Sequence, residues 1–247
     1  MGQQRVAVVT GGAKGIGAAI AARLSSDGLA VAVLDVDADS AEATAAGLGG
    51  SAHPADVSSY DSVRSAVDQV LERWGRIDVL VNNAGWDRVQ PFLDNEPELW
   101  NRLIGVNLLG PINLCHLVLP HMVSQGSGRV VNVASDAGRV GSSGEVVYSA
   151  CKGGVIALTK ALAREMARHG VTANCVCPGP TDTPLLAEIR SEETADRIID
   201  AIVRATPLRR LATPGDIAEA VGFFASEGSN FVTGQVVSVS GGLTMAG

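Results

Sequence analysis

Tyr148 and Lys152 stand four residues apart at the start of a long helical pattern, so on a helix their side chains share one face. A phenol, with an ordinary pKa of about 10, is a poor base at neutral pH, and bringing it to 7 takes about 4 kcal/mol of preferential phenolate stabilisation. A neighbouring ammonium supplies part of that. Ser135 follows the Val-rich run Arg129 to Ala134 and adds a hydroxyl able to hold a substrate oxygen. These are the parts for moving a proton on and off an alcohol or carbonyl oxygen, which requires fixed geometry. The bare Tyr/Lys spacing is common: by composition about one tyrosine in twenty has a lysine at that offset. The surrounding elements have to supply the context.

Those elements alternate along the chain. Val-rich runs predict strands at Arg5 to Val9, Ala30 to Leu34, Ser51 to Pro54, Ile77 to Asn82, Gly128 to Ala134, Val171 to Cys177 and Gln235 to Val239, with longer amphipathic stretches between them. That order predicts an α/β, Rossmann-type doubly wound domain over 1–247, with a seven-stranded parallel sheet and helices on both faces. Hydrophobic residues make up 46% of the 247 and charged residues 18%, which suits a sheet buried on both sides. The strand carboxyl ends then line one crevice where a ligand would sit.

The formal net charge of -7 and the lack of a basic block argue against nucleic-acid or anionic-membrane partners. The run Val6 to Val9 is too short for a signal peptide or spanning helix, and Val6 stands where a myristoylation signal wants Ser or Thr. A cytoplasmic protein is expected. Cys115, Cys151, Cys175 and Cys177 lack metal-site spacing and read as buried free thiols. His116 and His121 are five apart, on different faces of a helix, and no metal is expected.

The first strand runs into Thr10-Gly11-Gly12-Ala13-Lys14-Gly15-Ile16-Gly17 and then an Ala-rich helix. Glycines there let the backbone approach a pyrophosphate at a positive helix end, although such a loop can also simply pack a helix on a sheet. Asp35 closes the second strand, twenty residues beyond Gly15. Its carboxylate can accept hydrogen bonds from the adenosine ribose hydroxyls and would repel a 2′-phosphate, or it can belong to a helix-capping turn. Lys14 is an opposing clue toward NADP. No Arg follows Asp35 to take the extra phosphate, so NAD is preferred.

These residues resemble the short-chain dehydrogenase/reductase family over essentially the whole chain. The markers are Thr10 to Gly17, Asp56-Val57, Asn82-Asn83-Ala84-Gly85, Asn107, Ser135, Tyr148 with Lys152, and Pro178-Gly179. The resemblance implies that Gly11, Lys14, Gly15, Ile16, Gly17 and Asp35 hold the cofactor, and that Asp56 and Val57 meet adenine. It also implies that Asn83, Ala84 and Gly85 border the cofactor. Pro178, Gly179, Thr181 and Thr183 follow, with Thr183 on the nicotinamide carboxamide. Tyr148 and Lys152 reach the nicotinamide ribose, and Ser135, Tyr148 and Lys152 are catalytic. Asn107 anchors a water that extends a proton path from Lys152, although as a residue it could equally cap or kink its helix.

Substrate choice is expected in Asp136 to Val147 and in a lid at about 181–213, where Leu185, Leu186, Ile189, Ile198, Ile199, Ile202 and Val203 recur at helix-like offsets. Gly85-Trp86-Asp87, Ser135-Asp136, Arg139-Val140-Gly141-Ser142-Ser143-Gly144-Glu145, Pro180-Thr181-Asp182-Thr183 and Ser238-Val239-Ser240-Gly241-Gly242-Leu243-Thr244-Met245 resemble the branch acting on β-hydroxyacyl-CoA, alicyclic 2-hydroxycyclohexanecarboxyl-CoA included. More broadly they resemble 3-oxoacyl-acyl-carrier-protein reductases. Ser124 to Gly128 carry no basic residue for an acidic carrier protein, which favours CoA. The resemblance implies a homotetramer. A non-catalytic NAD-sensing module is the reading of another class, and intact Ser135, Tyr148 and Lys152 argue against it.

Overall fold

The computed structural model describes residues 4–183 and 195–246. The strands are Val6–Thr10 (β1), Ala30–Asp35 (β2), Ser51–Pro54 (β3), Val79–Asn82 (β4), Gly128–Val133 (β5), Val171–Pro178 (β6) and Val236–Val239 (β7). They form one parallel sheet in the order β3-β2-β1-β4-β5-β6-β7. The order turns back at β1, which has β2 on one side and β4 on the other. That is the switch point at which an open α/β sheet leaves a crevice beyond its carboxyl ends.

The helices are Gly15–Ser26 (α1), Ala38–Leu48 (α2), Tyr60–Trp74 (α3), Pro97–Gln125 (α4), Val146–Met166 (α5), Ala195–Ala205 (α6) and Pro214–Ala225 (α7). Strand alternation sends Val6, Val8 and Leu80 into one apolar cluster, shared with Val63, Val67 and Leu114 of α3 and α4. Ala7, Val9 and Val81 enter the other, shared with Ile20, Leu24, Ile217 and Val221 of α1 and α7. Both sheet faces are therefore dry. Helix α4 and the segment Val146–His169 are long and apolar enough to cross a membrane, yet each buries a polar group of the site, Asn107 and Lys152. The expected lid falls partly outside the described residues, including Leu185, Leu186 and Ile189; α6 forms its second half.

The strand ends opposite the crevice are locked by Asp78, which is 5% exposed. Its carboxylate accepts from the Val6 N–H at 2.8 Å and from Arg76 at 2.6 and 2.8 Å, tying β1 to the start of β4. Asp78→Ala orphans the Val6 N–H and takes an acceptor from Arg76, and is expected to cost about 3 kcal/mol of unfolding free energy. Urea denaturation checks this, and a loss below about 1 kcal/mol would show the lock to be unimportant.

Candidate active site

The crevice is built where β1 meets β4. Thr10 ends β1, and its hydroxyl accepts from the Asn83 and Ala84 N–H groups, both at 3.0 Å. The Asn83 amide donates back to the carbonyls of Thr10 and Gly11, also at 3.0 Å. The glycine loop and the Asn82 to Gly85 turn are thereby one rigid wall. Gly17 sits so close that a Cβ there would lie 1.9 Å from the Gly11 carbonyl oxygen. Helix α1 starts at Gly15 with no side-chain cap and no acidic residue in its first turn, leaving its N–H groups and positive end for an anion. Gly11, Lys14, Gly15, Ile16 and Gly17 are all in this loop and first turn, a cradle that fits a dinucleotide pyrophosphate.

Asp35 ends β2 beside that cradle. Its Oδ2 accepts from the Ala13 N–H at 3.0 Å and its Oδ1 from the Asp37 N–H at 3.1 Å, so the carboxylate is fixed against the loop. Lys14 is not a spare cation: its Nζ lies 2.6 Å from Asp37 Oδ2. That pair holds the Asp37 carboxyl down at about 2, with the hydrogen bond from Lys14 the largest cause. Asp37 also caps α2 through the Ser40 N–H. Along the same rim, the Val57 carbonyl accepts from Asn113 at 3.0 Å, and Asp56 Oδ1 accepts from the Ser58 N–H at 2.9 Å. Pro178 ends β6, Gly179 donates to Val239, and Thr181 donates to the Gly179 carbonyl at 2.8 Å and bridges to Ala212. Thr183 follows on this side of the crevice.

Ser135, Tyr148 and Lys152 meet just past the end of β5. The Ser135 hydroxyl acts on the Tyr148 phenol, favouring its ionised form, and accepts from the Ala137 N–H at 3.1 Å. Lys152 is 3% exposed; its Nζ donates to the Val133 carbonyl at 3.0 Å and lies 5.6 Å from the Tyr148 ring centroid. Asn107 is fully buried within a π-helical turn, Gly105–Leu109, of α4. Its amide donates to the carbonyls of Trp86 at 2.7 Å and Leu103 at 3.0 Å, and accepts from the Trp86 N–H at 3.2 Å. A Cβ on Gly85 would sit 3.2 Å from Asn107 Oδ1 and 3.5 Å from Lys152 Nζ, so both groups pack closely against the turn. The extra residue of a π turn accommodates this polar insertion into the helix.

Charge in the site is poised by burial. The Tyr148 phenol is pushed above its ordinary value, first by burial and then by the Asp87 and Glu145 carboxyls, with the Ser135 hydroxyl opposing. Burial pushes the Lys152 ammonium down to about 8. The ammonium is thus bonded to a carbonyl rather than to the phenol, and the phenolate gains less from it than the spacing alone suggests. Asp87 is pushed up to about 7, first by burial and then by the Glu145 carboxyl.

Several supporting contacts join residues far apart in the sequence. Asn82 donates to Asn132 at 2.8 Å, Asn132 donates to Thr159 at 2.8 Å, and Thr159 donates to the Val155 carbonyl at 2.8 Å, pinning α5 across β4 and β5. Asp136 accepts from Ser238, which in turn accepts from Arg139 at 2.8 Å, joining β7 to the segment after β5. Trp86 lies under the Arg102 guanidinium, 3.8 Å from its ring. The four cysteines are free and buried, with Cys175 and Cys177 Sγ atoms 4.0 Å apart in the core. Among the described residues no cluster of three or more metal-ligating side chains occurs.

An ammonium held down at about 8 loads the fold below that pH. Between about pH 8 and 10.5 the unfolded chain holds the proton and the folded chain does not, so rising pH adds stability. Lys152→Met removes about 3 kcal/mol of this load at pH 7 and loses about 1 kcal/mol with the Val133 bond. The variant is expected to be at least as stable as the parent at pH 7, the advantage shrinking toward pH 10. Thermal unfolding at both pH values checks it; a clearly less stable variant at pH 7 would contradict it.

A family model described as enoyl-(acyl carrier protein) reductase matches residues 11–244. The chain is 41% identical over 239 residues to an acetoacetyl-CoA reductase of Rhizobium meliloti, covering 96% of this chain and 98% of that one. It is 40% identical over 248 residues to the cis-4-hydroxycyclohexanecarboxylate dehydrogenase of Sinomonas cyclohexanicum, covering 98% and 97%. The crystal structure of a single-site variant of actinorhodin polyketide ketoreductase with NADPH superposes with a TM-score of 0.93 at 37% identity, covering 97% of each chain. The chain belongs to the short-chain dehydrogenase/reductase family, oxidoreductases that act on alcohol and ketone groups with a nicotinamide cofactor.

Proposed function

We propose that the protein interconverts a β-hydroxyacyl-CoA and its β-keto thioester with NAD, in one domain spanning 1–247 and with 181–213 as the substrate lid. The observation that carries this is the convergence of Ser135, Tyr148 and Lys152 beside the β1–β4 crevice. In oxidation, Ser135 holds the carbinol oxygen and Tyr148, as phenolate, takes its proton; in reduction Tyr148 returns it to the carbonyl oxygen. The nicotinamide supplies the hydride acceptor or donor. Lys152 reaches the nicotinamide ribose and adds positive charge near the phenol, and Asn107 holds the Trp86 backbone and, through a water, extends the proton path.

NAD is favoured by charge at the β2 end. Asp35 and Asp37 lie where the adenosine ribose would sit, and Lys14 is already paired with Asp37. A 2′-phosphate would meet two carboxylates. The runner-up is a 3-oxoacyl-acyl-carrier-protein reductase using NADPH, as suggested by the family description and the NADPH-bound ketoreductase. CoA is supported over a carrier protein by Ser124 to Gly128, and an alicyclic acyl group by the cyclohexane dehydrogenase relative. Exposed Ala150, Ala157 and Ala161 of α5 and Ile104, Leu109 and Ile112 of α4 support a homotetramer packed through these helices.

Tyr148→Phe is expected to bind NADH as the parent does and to lose at least about 100-fold in turnover. Dinucleotide fluorescence and steady-state rates with cyclic and linear β-hydroxyacyl-CoA esters measure both. Full turnover in the variant would remove Tyr148 from the mechanism. For the cofactor, NADH is expected to bind at least about tenfold more tightly than NADPH. Tighter NADPH binding would show that Lys14 outweighs Asp35.

A further inference from the structure

At the strand ends opposite the crevice, a hollow of about 260 Å³ is lined by Arg5, Arg76, Asp78, Ser127, Arg129 and Glu227. Neighbouring strands bring these groups together. Arg5 precedes β1, Asp78 precedes β4 and accepts from the Val6 N–H, and Arg129 of β5 donates its backbone N–H to the Asp78 carbonyl at 2.9 Å. Arg76 and Asp78 neutralise each other. Arg5 and Arg129 form no ion pair among the described residues, and their guanidinium groups bond only neutral acceptors. Arg5 donates to the Ala225 carbonyl, at the end of α7, at 2.9 Å. Arg129 donates to the Gly128 carbonyl at 2.9 Å and to the Asn230 side chain, while its Nε is buried and donates to nothing among the described residues. Both side chains are half-buried. Burial pushes the Arg129 guanidinium below its ordinary value and the Arg5 charge adds to this, with Glu227 opposing. Three guanidinium groups therefore share the hollow with two carboxylates, one of them spent on Arg76. Like charges held together partly out of water burden a fold until an opposite charge joins them.

We propose that this hollow binds a small oxyanion of the phosphate class, held between Arg5 and Arg129 with the Ser127 hydroxyl as a neutral donor. Guanidinium forks present paired N–H groups to such an anion, and most of the N–H groups on these two are unused. The ligand is small because the two guanidinium groups are sunk in the hollow. A polyanion would need a basic surface around it, and a chain of net charge -7 with no basic block offers none. The bound anion bridges the start of β1 to the start of β5 across Asp78, and through Ala225 and Asn230 it reaches the end of α7 and the turn after it. Stability then responds to phosphate by mass action, because the unfolded chain has no such site. Tyr148 and Lys152 lie at the other strand ends, so anion and substrate do not compete. Glu227, exposed at the rim, weakens the site by its own negative charge.

The test is phosphate binding by the intact protein with the dinucleotide crevice filled by NADH, so that the start of α1 takes no phosphate. Titration calorimetry measures affinity, and thermal unfolding in phosphate against chloride at equal ionic strength measures stabilisation. The parent is expected to bind with a dissociation constant of about 1 mM or below, and at about ten times that concentration to melt about 3 °C higher. General salting-out by phosphate grows steadily with concentration, whereas binding at a site saturates. Arg5→Gln and Arg129→Gln are each expected to weaken phosphate at least about tenfold, and Glu227→Gln to tighten it about threefold. Glycerol phosphate, titrated alongside, separates a phosphomonoester from the free ion, and saturable binding of either supports the site. No saturable stabilisation in the parent, or one affinity shared by the parent and all three variants, would overturn it. The parent titration and the exposed Glu227 variant keep the test decisive if an arginine variant fails to fold.

Discussion

A lysine ammonium buried to 3% exposure, bonded to a backbone carbonyl at 3.0 Å, is the constraint around which the site is arranged. Burying a charge costs more than one such bond returns, so the arrangement persists only because the surrounding fold over-determines it. The Val133 carbonyl that receives the ammonium is fixed by the parallel ladder between β5 and β6. Helix α5, which carries both Tyr148 and Lys152, is pinned to β5 by the buried amide and hydroxyl chain from Asn82 through Asn132 to Thr159. Lys152 has no freedom to relax into solvent, and its charge stays beside the phenol ring.

The same economy shapes the cofactor side. Thr10 and Asn83 join the first and fourth strands at the one place where the sheet order reverses. That junction holds the uncapped start of α1 in line with the crevice, so the electrostatics of a helix end and the close approach allowed by Gly17 act on the same region. Asp35 and the Lys14–Asp37 pair set the charge at the β2 end, where we propose that the adenosine ribose sits. Stability is carried elsewhere, in two apolar layers and in Asp78 at the opposite strand ends.

The fold was largely legible in the sequence because strands buried on both faces read as Val-rich runs, and all seven lie within two residues of the expected bounds. The largest shift, β4 starting at Val79 rather than Ile77, has a local cause: the Ile77 N–H is taken by the Gln125 side chain at 3.3 Å instead of a strand. Ser135, Tyr148 and Lys152 were legible by type and spacing, and the structure brings them together. The π turn at Asn107 was not, because it depends on the Trp86 backbone arriving from another element. The upward shift of the phenol was equally hidden, because burial is a property of the folded chain.

The fold alone leaves Tyr148 too weak an acid, and in the proposed mechanism the positive nicotinamide of NAD supplies the missing stabilisation of the phenolate. The chain has only two tyrosines, Tyr60 and Tyr148, so in Tyr60→Phe the ultraviolet signal of phenolate reports Tyr148 alone. Spectrophotometric titration of that variant with and without saturating NAD tests the claim. The predicted result is ionisation above the ordinary tyrosine value without NAD and a fall of about two units or more with it. A titration that NAD leaves unmoved would contradict this mechanism.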